Sequence, residues 1–199
     1  MSILDSIKRR ARPWICPFEP IVDTIPTGSA VFDIGCGSGF LLGLIAEKKA
    51  PLFLGGTEIN PKLVREGRKY LDTKAPRLPV SISLYDGIHL PEEIVKADVV
   101  LLIDVLHHIP SAAQFSFLQS IYARMRRSAT FILKDIDASR RFLCLGNKLH
   151  DLVASGKPGH EMPKEEARRI LESLAFQVES AGAMRKLWYP HYWFVAVKV

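Results

Sequence analysis

Short apolar runs alternate with amphipathic stretches along most of the chain. Strand-length apolar runs lie at residues 30–34, 52–58, 80–84, 99–104 and 130–135. Helical spacing of apolar residues falls between them, at residues 40–48, 61–71, 91–95 and 111–125. Alternation of this kind predicts an α/β fold, a doubly wound and mostly parallel sheet with helices on both faces.

The pattern changes after the fifth strand. Residues 140–155 predict an extra helix, and residues 163–174 predict another, with Glu165 and Glu166 in the first turn, where the helix dipole favours acids. Residues 176–180 and 192–199 predict two closing strands. With 199 residues, 48% of them hydrophobic, the chain is expected to form a single domain (1–199) with a substantial core.

A glycine-rich turn joins the first strand to its helix. Asp33 lies at the end of the strand, and glycines follow at Gly35, Gly37 and Gly39. Glycines tolerate positive φ and let a ligand approach the backbone, while the helix N-terminus offers free N–H groups. A nucleotide-type cofactor is therefore predicted here. The pyrophosphate fingerprint of dinucleotide-binding proteins needs a third glycine or an alanine where this chain has Phe40, which argues against a dinucleotide.

An acid ends the second strand. Glu58 follows the glycine turn by about 20 residues, the spacing at which a carboxylate accepts hydrogen bonds from a ribose diol. A helix N-cap is the structural alternative for this acid, but Asn60 already precedes Pro61 in that role. Ile59 is then expected to pack against an adenine ring.

The pattern Asp-x-Gly-x-Gly-x-Gly at residues 33–39 resembles motif I of the class I S-adenosylmethionine (SAM)-dependent methyltransferases. The resemblance implies a seven-stranded sheet with an antiparallel last strand, SAM as cofactor and S-adenosylhomocysteine (SAH) as product. It also implies that Asp86 takes the adenine amino group, although an Asx turn with Gly87 is an alternative reading of that acid. The implied cofactor-binding residues are Asp33, Gly35, Cys36, Gly37, Gly39, Glu58, Ile59, Asp86, Gly87 and Asp104.

The segment from Asp104 to Pro110 carries two adjacent histidines and resembles the motif IV loop of small-molecule and lipid methyltransferases. The resemblance places Asp104 near the methionine end of SAM and turns the histidines toward the acceptor. An imidazole titrates near neutrality and can take a proton from the attacking group. We expect one of His107 and His108 to act in this way and the other to be structural.

Further polar residues follow the fifth strand. Asp137 and His150 are candidate catalytic groups, and residues 140–162 are expected to cap the acceptor site. The aromatic run at residues 188–193 suits a flat acceptor or an acyl chain, or else a packed turn between the closing strands. The spacing of His, Asp and Glu lacks a compact ligand motif, so no metal site is predicted.

Composition and charge refine the expected acceptor. The net charge of +6 slightly favours a nucleic-acid substrate. The loop after the fourth strand, however, lacks the Asn/Asp-Pro-Pro-aromatic sequence that is used to methylate the amino group of adenine. It also lacks the Pro-Cys sequence that is used to methylate cytosine. We therefore expect methyl transfer to oxygen or carbon of a small, apolar or lipid-like acceptor. An RNA methyltransferase and a non-catalytic SAM-binding protein are the alternatives.

Location and membrane contact follow from simpler features. Three cysteines without paired spacing fit a reducing compartment, and a cytoplasmic protein is expected. No apolar run approaches the roughly 20 residues of a membrane helix. A helix within residues 1–26 carries basic residues and is expected either to lie at a membrane surface or to cover the site.

Overall fold

The computed structural model describes Cys16 and residues 18–139, 159–186 and 189–199. The described strands are β1 (Ala30–Ile34), β2 (Phe53–Glu58), β3 (Val80–Leu84), β4 (Val99–Ile103), β5 (Thr130–Ile136), β6 (Phe176–Lys186) and β7 (Tyr189–Lys198). They form one seven-stranded sheet in the order β3-β2-β1-β4-β5-β7-β6. The helices are α1 (Phe18–Thr24), α2 (Phe40–Lys49), α3 (Pro61–Lys74), α4 (Ser111–Arg124) and α5 (Lys164–Ser173), with 3-10 turns at Glu92–Lys96 and Leu106–His108. The predicted fold class is confirmed.

The chain divides into two compact units, residues 1–101 and 102–199. In the first unit β2 pairs in parallel with both β1 and β3. Leu42 and Ile45 on α2 are fully buried, and each such side chain contributes about 1.5–3 kcal/mol by leaving water. Helix α3 begins as its sequence predicts, because the Asn60 side chain accepts a hydrogen bond from the Lys62 N–H and Pro61 occupies the first turn.

In the second unit β7 pairs antiparallel with β5 on one side and with β6 on the other. Lys198 at the end of β7 donates its ammonium hydrogens to the carbonyl oxygens of Tyr122 and Met125, at 2.6 Å each. These carbonyls lie in the last turn of α4 and at the residue after it, where carbonyl oxygens lack partners within the helix. The lysine therefore ties the end of α4 to the sheet.

Three details differ from the sequence-based expectation. The segment at residues 91–95 forms a 3-10 turn rather than an α-helix. Strand β6 continues to Lys186, well past residue 180, because backbone pairing with β7 holds an exposed stretch that has no apolar alternation. Strand β7 begins at Tyr189, so the described part of the aromatic run lies in a strand and not in a turn.

Several predicted features lie outside the described residues. These are residues 1–15 and 17 of the N-terminal region, Trp188, the predicted helix at 140–155 and the candidate His150. The predicted cap at 140–162 is described only from Gly159 onward, and α1 is the described helix of the N-terminal region. Within the described parts of the chain, no helix combines the length and apolarity needed to span a bilayer.

Candidate cofactor site and active site

The glycine turn of the first unit has the backbone that its sequence predicts. Gly35, Gly37 and Gly39 all have positive φ, at 77°, 56° and 76°. The N–H groups of Gly35 and Cys36 both donate to the carbonyl oxygen of Thr57, at 2.8 and 2.9 Å. The turn is thus tied to the end of β2, and only residues that accept a left-handed backbone fit it without strain.

Glu58 connects the same two segments through its side chain. Its Oε2 accepts a hydrogen bond from the Gly37 N–H at 3.0 Å, and its Oε1 accepts one from the Asn60 N–H at 2.9 Å. The residue is 9% exposed. Each carboxylate oxygen has more than one acceptor position, so both can take a further donor. The structure joins this acid to the turn, and its predicted contact with a ribose diol stays a prediction.

Gly56 in β2 has no room for a side chain, because Cys36 of the glycine turn packs beside it. A Cβ at Gly56 would lie 2.8 Å from the Cys36 sulfur, closer than real contacts allow. The buried Cys36 side chain therefore fills the space beside Gly56. Asp33, in β1 opposite Gly56, is also buried.

Asp86 forms a local turn after β3. Its Oδ1 accepts hydrogen bonds from the N–H groups of Ile88 and His89, and its Oδ2 lies 2.7 Å from the His89 ring nitrogen Nδ1. These bonds, led by that from the His89 N–H, lower the pKa of Asp86 to about 2. Gly87 has a φ of 85°, and Ile59, beside Glu58, is exposed. The turn alternative for Asp86 is thus realised, and its contact with adenine stays a prediction.

In the second unit the chain leaves β4 through Asp104, a non-glycine residue with a φ of 56°. Its N–H donates to the Lys134 carbonyl oxygen at 2.9 Å, and its Oδ1 accepts a hydrogen bond from the Lys134 ammonium at 2.5 Å. Burial by itself raises the pKa of Asp104, but Lys134, His191 and His107 outweigh it and hold that pKa well below its usual range. Asp104 therefore stays ionised at neutral pH.

The two adjacent histidines differ in their surroundings. His107 is buried, and its Nδ1 lies 2.6 Å from Oδ1 of the buried Asp135. The His107 N–H also donates to Oδ2 of Asp135 at 3.1 Å. His108 is exposed, and its ring centroid lies 4.0 Å from that of His107.

The loop that carries the histidines is held from a second side. The His160 N–H donates to the His107 carbonyl oxygen at 2.7 Å. Gln114, buried on α4, directs its Nε2 at the carbonyl oxygens of Leu106, Ile109 and His160 at 3.1, 3.1 and 2.7 Å. The described end of the predicted cap therefore contacts the histidine loop, and its role as a cap over an acceptor stays a prediction.

Asp137 has a local structural task. Its Oδ1 accepts hydrogen bonds from the N–H groups of Ser139 and Lys164, at 3.0 and 3.2 Å, and the second of these supports the start of α5. Among the described residues, no group of three or more His, Cys, Asp or Glu side chains is arranged to hold a metal ion.

Sequence reasoning counted Lys134 and Asp135 only among the polar residues near the fifth strand, and it assigned no role to them or to Gln114. The available signal was the pair of adjacent charged residues in the apolar strand β5, since buried charges need partners. Their partners lie 30 and 28 residues away in the chain. Only the fold brings them together.

Comparison with known proteins agrees with this description. A sequence profile of the family described as "Methyltransferase domain" matches residues 32–131, half of the chain. Comparison with the curated protein sequences finds no match. Among solved structures, the magnesium protoporphyrin IX methyltransferase of Synechocystis PCC 6803 with bound SAH is similar, with a TM-score of 0.76, 21% identity, and 100% of this chain and 89% of that chain covered.

Two other structures show the same fold. A SAM-dependent methyltransferase from Aquifex aeolicus has a TM-score of 0.72 at 15% identity, with both chains fully covered (100%). The pyocyanin biosynthetic protein PhzM has a TM-score of 0.72 at 20% identity, with 92% of this chain and 54% of that chain covered. At such identities the likeness shows the fold and does not indicate which acceptor this chain methylates.

The profile match across half of the chain shows that the chain belongs to the methyltransferase domain family, and it is a SAM-dependent methyltransferase.

Proposed function

We propose that this enzyme methylates an oxygen or carbon of a small, apolar or lipid-like acceptor, and that His108 takes the proton which the acceptor loses. The observation that carries the proposal is the contrast between the two histidines. His107 is buried against Asp135, whereas His108 is exposed with its ring against that of His107. A general base must come within hydrogen-bond reach of the group it deprotonates, and exposure favours His108.

His107 fits the structural role that the sequence leaves to one histidine. Its ring and its N–H both bind the Asp135 carboxylate, and its carbonyl oxygen accepts from His160. A residue held at three points fixes the loop on which the next side chain stands. We therefore assign His107 and Asp135 to positioning His108.

The glycine turn and the residues that follow β2, β3 and β4 are proposed to hold the cofactor. Glu58 suits the ribose diol because it is an ionisable acid with acceptor capacity left on both oxygens. The positive-φ glycines leave the backbone of the turn without Cβ atoms, which fits close approach of a ligand. Ile59, Asp86 and Gly87 are proposed to surround the adenine, and Asp104 to serve the methionine end.

When bound, SAM supplies a methyl group that its sulfonium already activates. The protein's work is then to orient the acceptor and to remove its proton. Orientation converts a two-molecule encounter into a one-step reaction within the complex, which is where most of the acceleration arises. Proton removal by His108 adds a factor of roughly 10²–10⁴ for an acceptor such as a hydroxyl.

The test is turnover on a panel of hydroxylated aromatic, enolic and lipid acceptors, followed with SAM labelled on its methyl group. His108→Ala is expected to lower kcat by roughly 10²–10⁴-fold with SAM affinity nearly unchanged. The wild-type rate is expected to fall on acidification as the histidine becomes protonated. If His108→Ala keeps full turnover while a stably folded His107→Ala loses most of its turnover, His107 is the base and His108 is the structural residue. Full turnover by the double variant would end the proposal of a histidine base.

A further inference from the structure

We propose that Lys134 is a positioning residue for Asp104: its buried ammonium holds the Asp104 carboxylate in the orientation that serves bound SAM. The inference rests on the proposed role of Asp104. It adds a residue that neither the glycine turn nor the histidine loop contains. Lys134 lies inside β5, next to the buried Asp135, and is completely buried.

Two hydrogen bonds in opposite directions join Lys134 and Asp104. The Lys134 carbonyl oxygen accepts from the Asp104 N–H at 2.9 Å, and the Lys134 ammonium donates to Asp104 Oδ1 at 2.5 Å. The first bond fixes the backbone of Asp104 and the second fixes its side chain.

The backbone of Asp104 is also unusual. Its φ of 56° lies in the left-handed region, which residues other than glycine adopt uncommonly. Such strain persists only where the surroundings hold it, and it tends to occur at functional sites. The hydrogen bond from its N–H to the Lys134 carbonyl oxygen is one contact that holds Asp104 in this conformation.

Three groups on separate elements act on the charge of Asp104. Burial raises the pKa of its carboxyl, and Lys134 on β5, His191 on β7 and His107 in the 3-10 turn outweigh that effect. Lys134 also donates a hydrogen bond to the carboxylate. The lysine therefore compensates the charge of a carboxylate whose side chain is only 17% exposed.

The experiment is a double-mutant cycle on SAH affinity, measured by calorimetry with the full chain. Lys134→Met and Asp104→Asn are each expected to weaken SAH binding by about tenfold, the effect of losing one charge-assisted contact. The double variant is expected to bind no more weakly than Asp104→Asn alone, because Lys134 acts only through Asp104. Lys198→Met is the matched control: it removes another lysine of the second unit, and lower thermal stability with unchanged SAH affinity is expected.

The outcomes separate the two proposals. If Asp104→Asn binds SAH as the wild type does, the cofactor role of Asp104 fails, and the role of Lys134 fails with it. If Asp104→Asn weakens binding but a folded Lys134→Met does not, or if the two effects multiply in the double variant, Lys134 is merely structural and the cofactor role of Asp104 stands. Should Lys134→Met not fold, Lys134→Gln takes its place in the same cycle.

Discussion

The carboxylate of Asp135 binds His107 twice: Oδ1 lies 2.6 Å from the ring nitrogen Nδ1, and Oδ2 accepts from the backbone N–H at 3.1 Å. Both residues are buried, so this pair fixes the loop after β4 from within the protein. His108, the next residue, takes its position from that anchor. The adjacent Lys134 binds Asp104 at the start of the same loop, so two neighbouring residues of β5 hold it.

Asp135→Asn tests the anchor. The amide keeps the size of the carboxylate, but it has an oxygen at only one of the two positions that bind His107 and an NH₂ group at the other. We expect a lower Tm, because one of the two buried hydrogen bonds is lost, and a lower kcat, because His108 is no longer held in place. The KM for SAM should change little. Glu172→Gln, an exposed acid on α5, is the control, and a Tm loss with kcat unchanged would show that the pair serves folding alone.

Glu58→Ala tests the ribose contact. The substitution removes the proposed hydrogen bonds to the diol and the bonds to the N–H groups of Gly37 and Asn60. SAM and SAH affinity should fall by about 1–3 kcal/mol, the range for hydrogen bonds to a charged group. Calorimetry measures this directly, with the exposed Glu47→Ala as control. Equal affinity in wild type and Glu58→Ala would remove Glu58 from the site.

Gly37→Val tests the glycine turn. The added branches occupy the space that the ligand needs, and the φ of 56° is strained for a β-branched residue. Cofactor binding is expected to be lost. Gly28→Val is the control that distinguishes backbone strain from loss of the cofactor site. Gly28 also has a positive φ, of 78°, and a Cβ at this position would meet nothing within 4 Å. It should lower Tm and leave SAH affinity intact, whereas normal binding by Gly37→Val would show that the turn does not hold the cofactor.

Asp86 is expected to make the stability of the folded protein depend on pH in the acid range. Hydrogen bonds, first of all from the His89 N–H, lower its pKa from the ordinary 3.8 to about 2 in the folded protein. A carboxyl with a depressed folded pKa stabilises the fold above its unfolded pKa and loses this contribution as pH falls through the folded value. Asp86→Ala should therefore lower Tm at pH 5, and the difference should shrink between pH 4 and pH 2. A Tm difference that stays constant down to pH 2 would contradict this.

The sequence was sufficient for features determined by nearby residues. The positive-φ glycines, the Asn60 cap with Pro61 and the acid that ends β2 all follow from local rules of turns and helix starts. Strand β3 was predicted with the residues that the structure shows, because apolar residues alternate with serines from Val80 to Leu84.

Other features depended on contacts between distant residues. The roles of Lys134 and Asp135 become visible only through their partners Asp104 and His107, which the fold brings beside them. Strand β6 was predicted too short because its second half is exposed and has no buried face to impose alternation. The distinction between His107 and His108 likewise rests on burial, which adjacent identical residues do not reveal in a sequence.

The most direct test of the central claim follows the labelled methyl group of SAM. Purified enzyme is incubated with the labelled cofactor and, in separate reactions, with a small-molecule and lipid extract and with total RNA. The account predicts label in the small-molecule or lipid fraction, strongly reduced by His108→Ala and abolished by Gly37→Val. Label in the RNA fraction, or transfer that both variants retain in full, would contradict it.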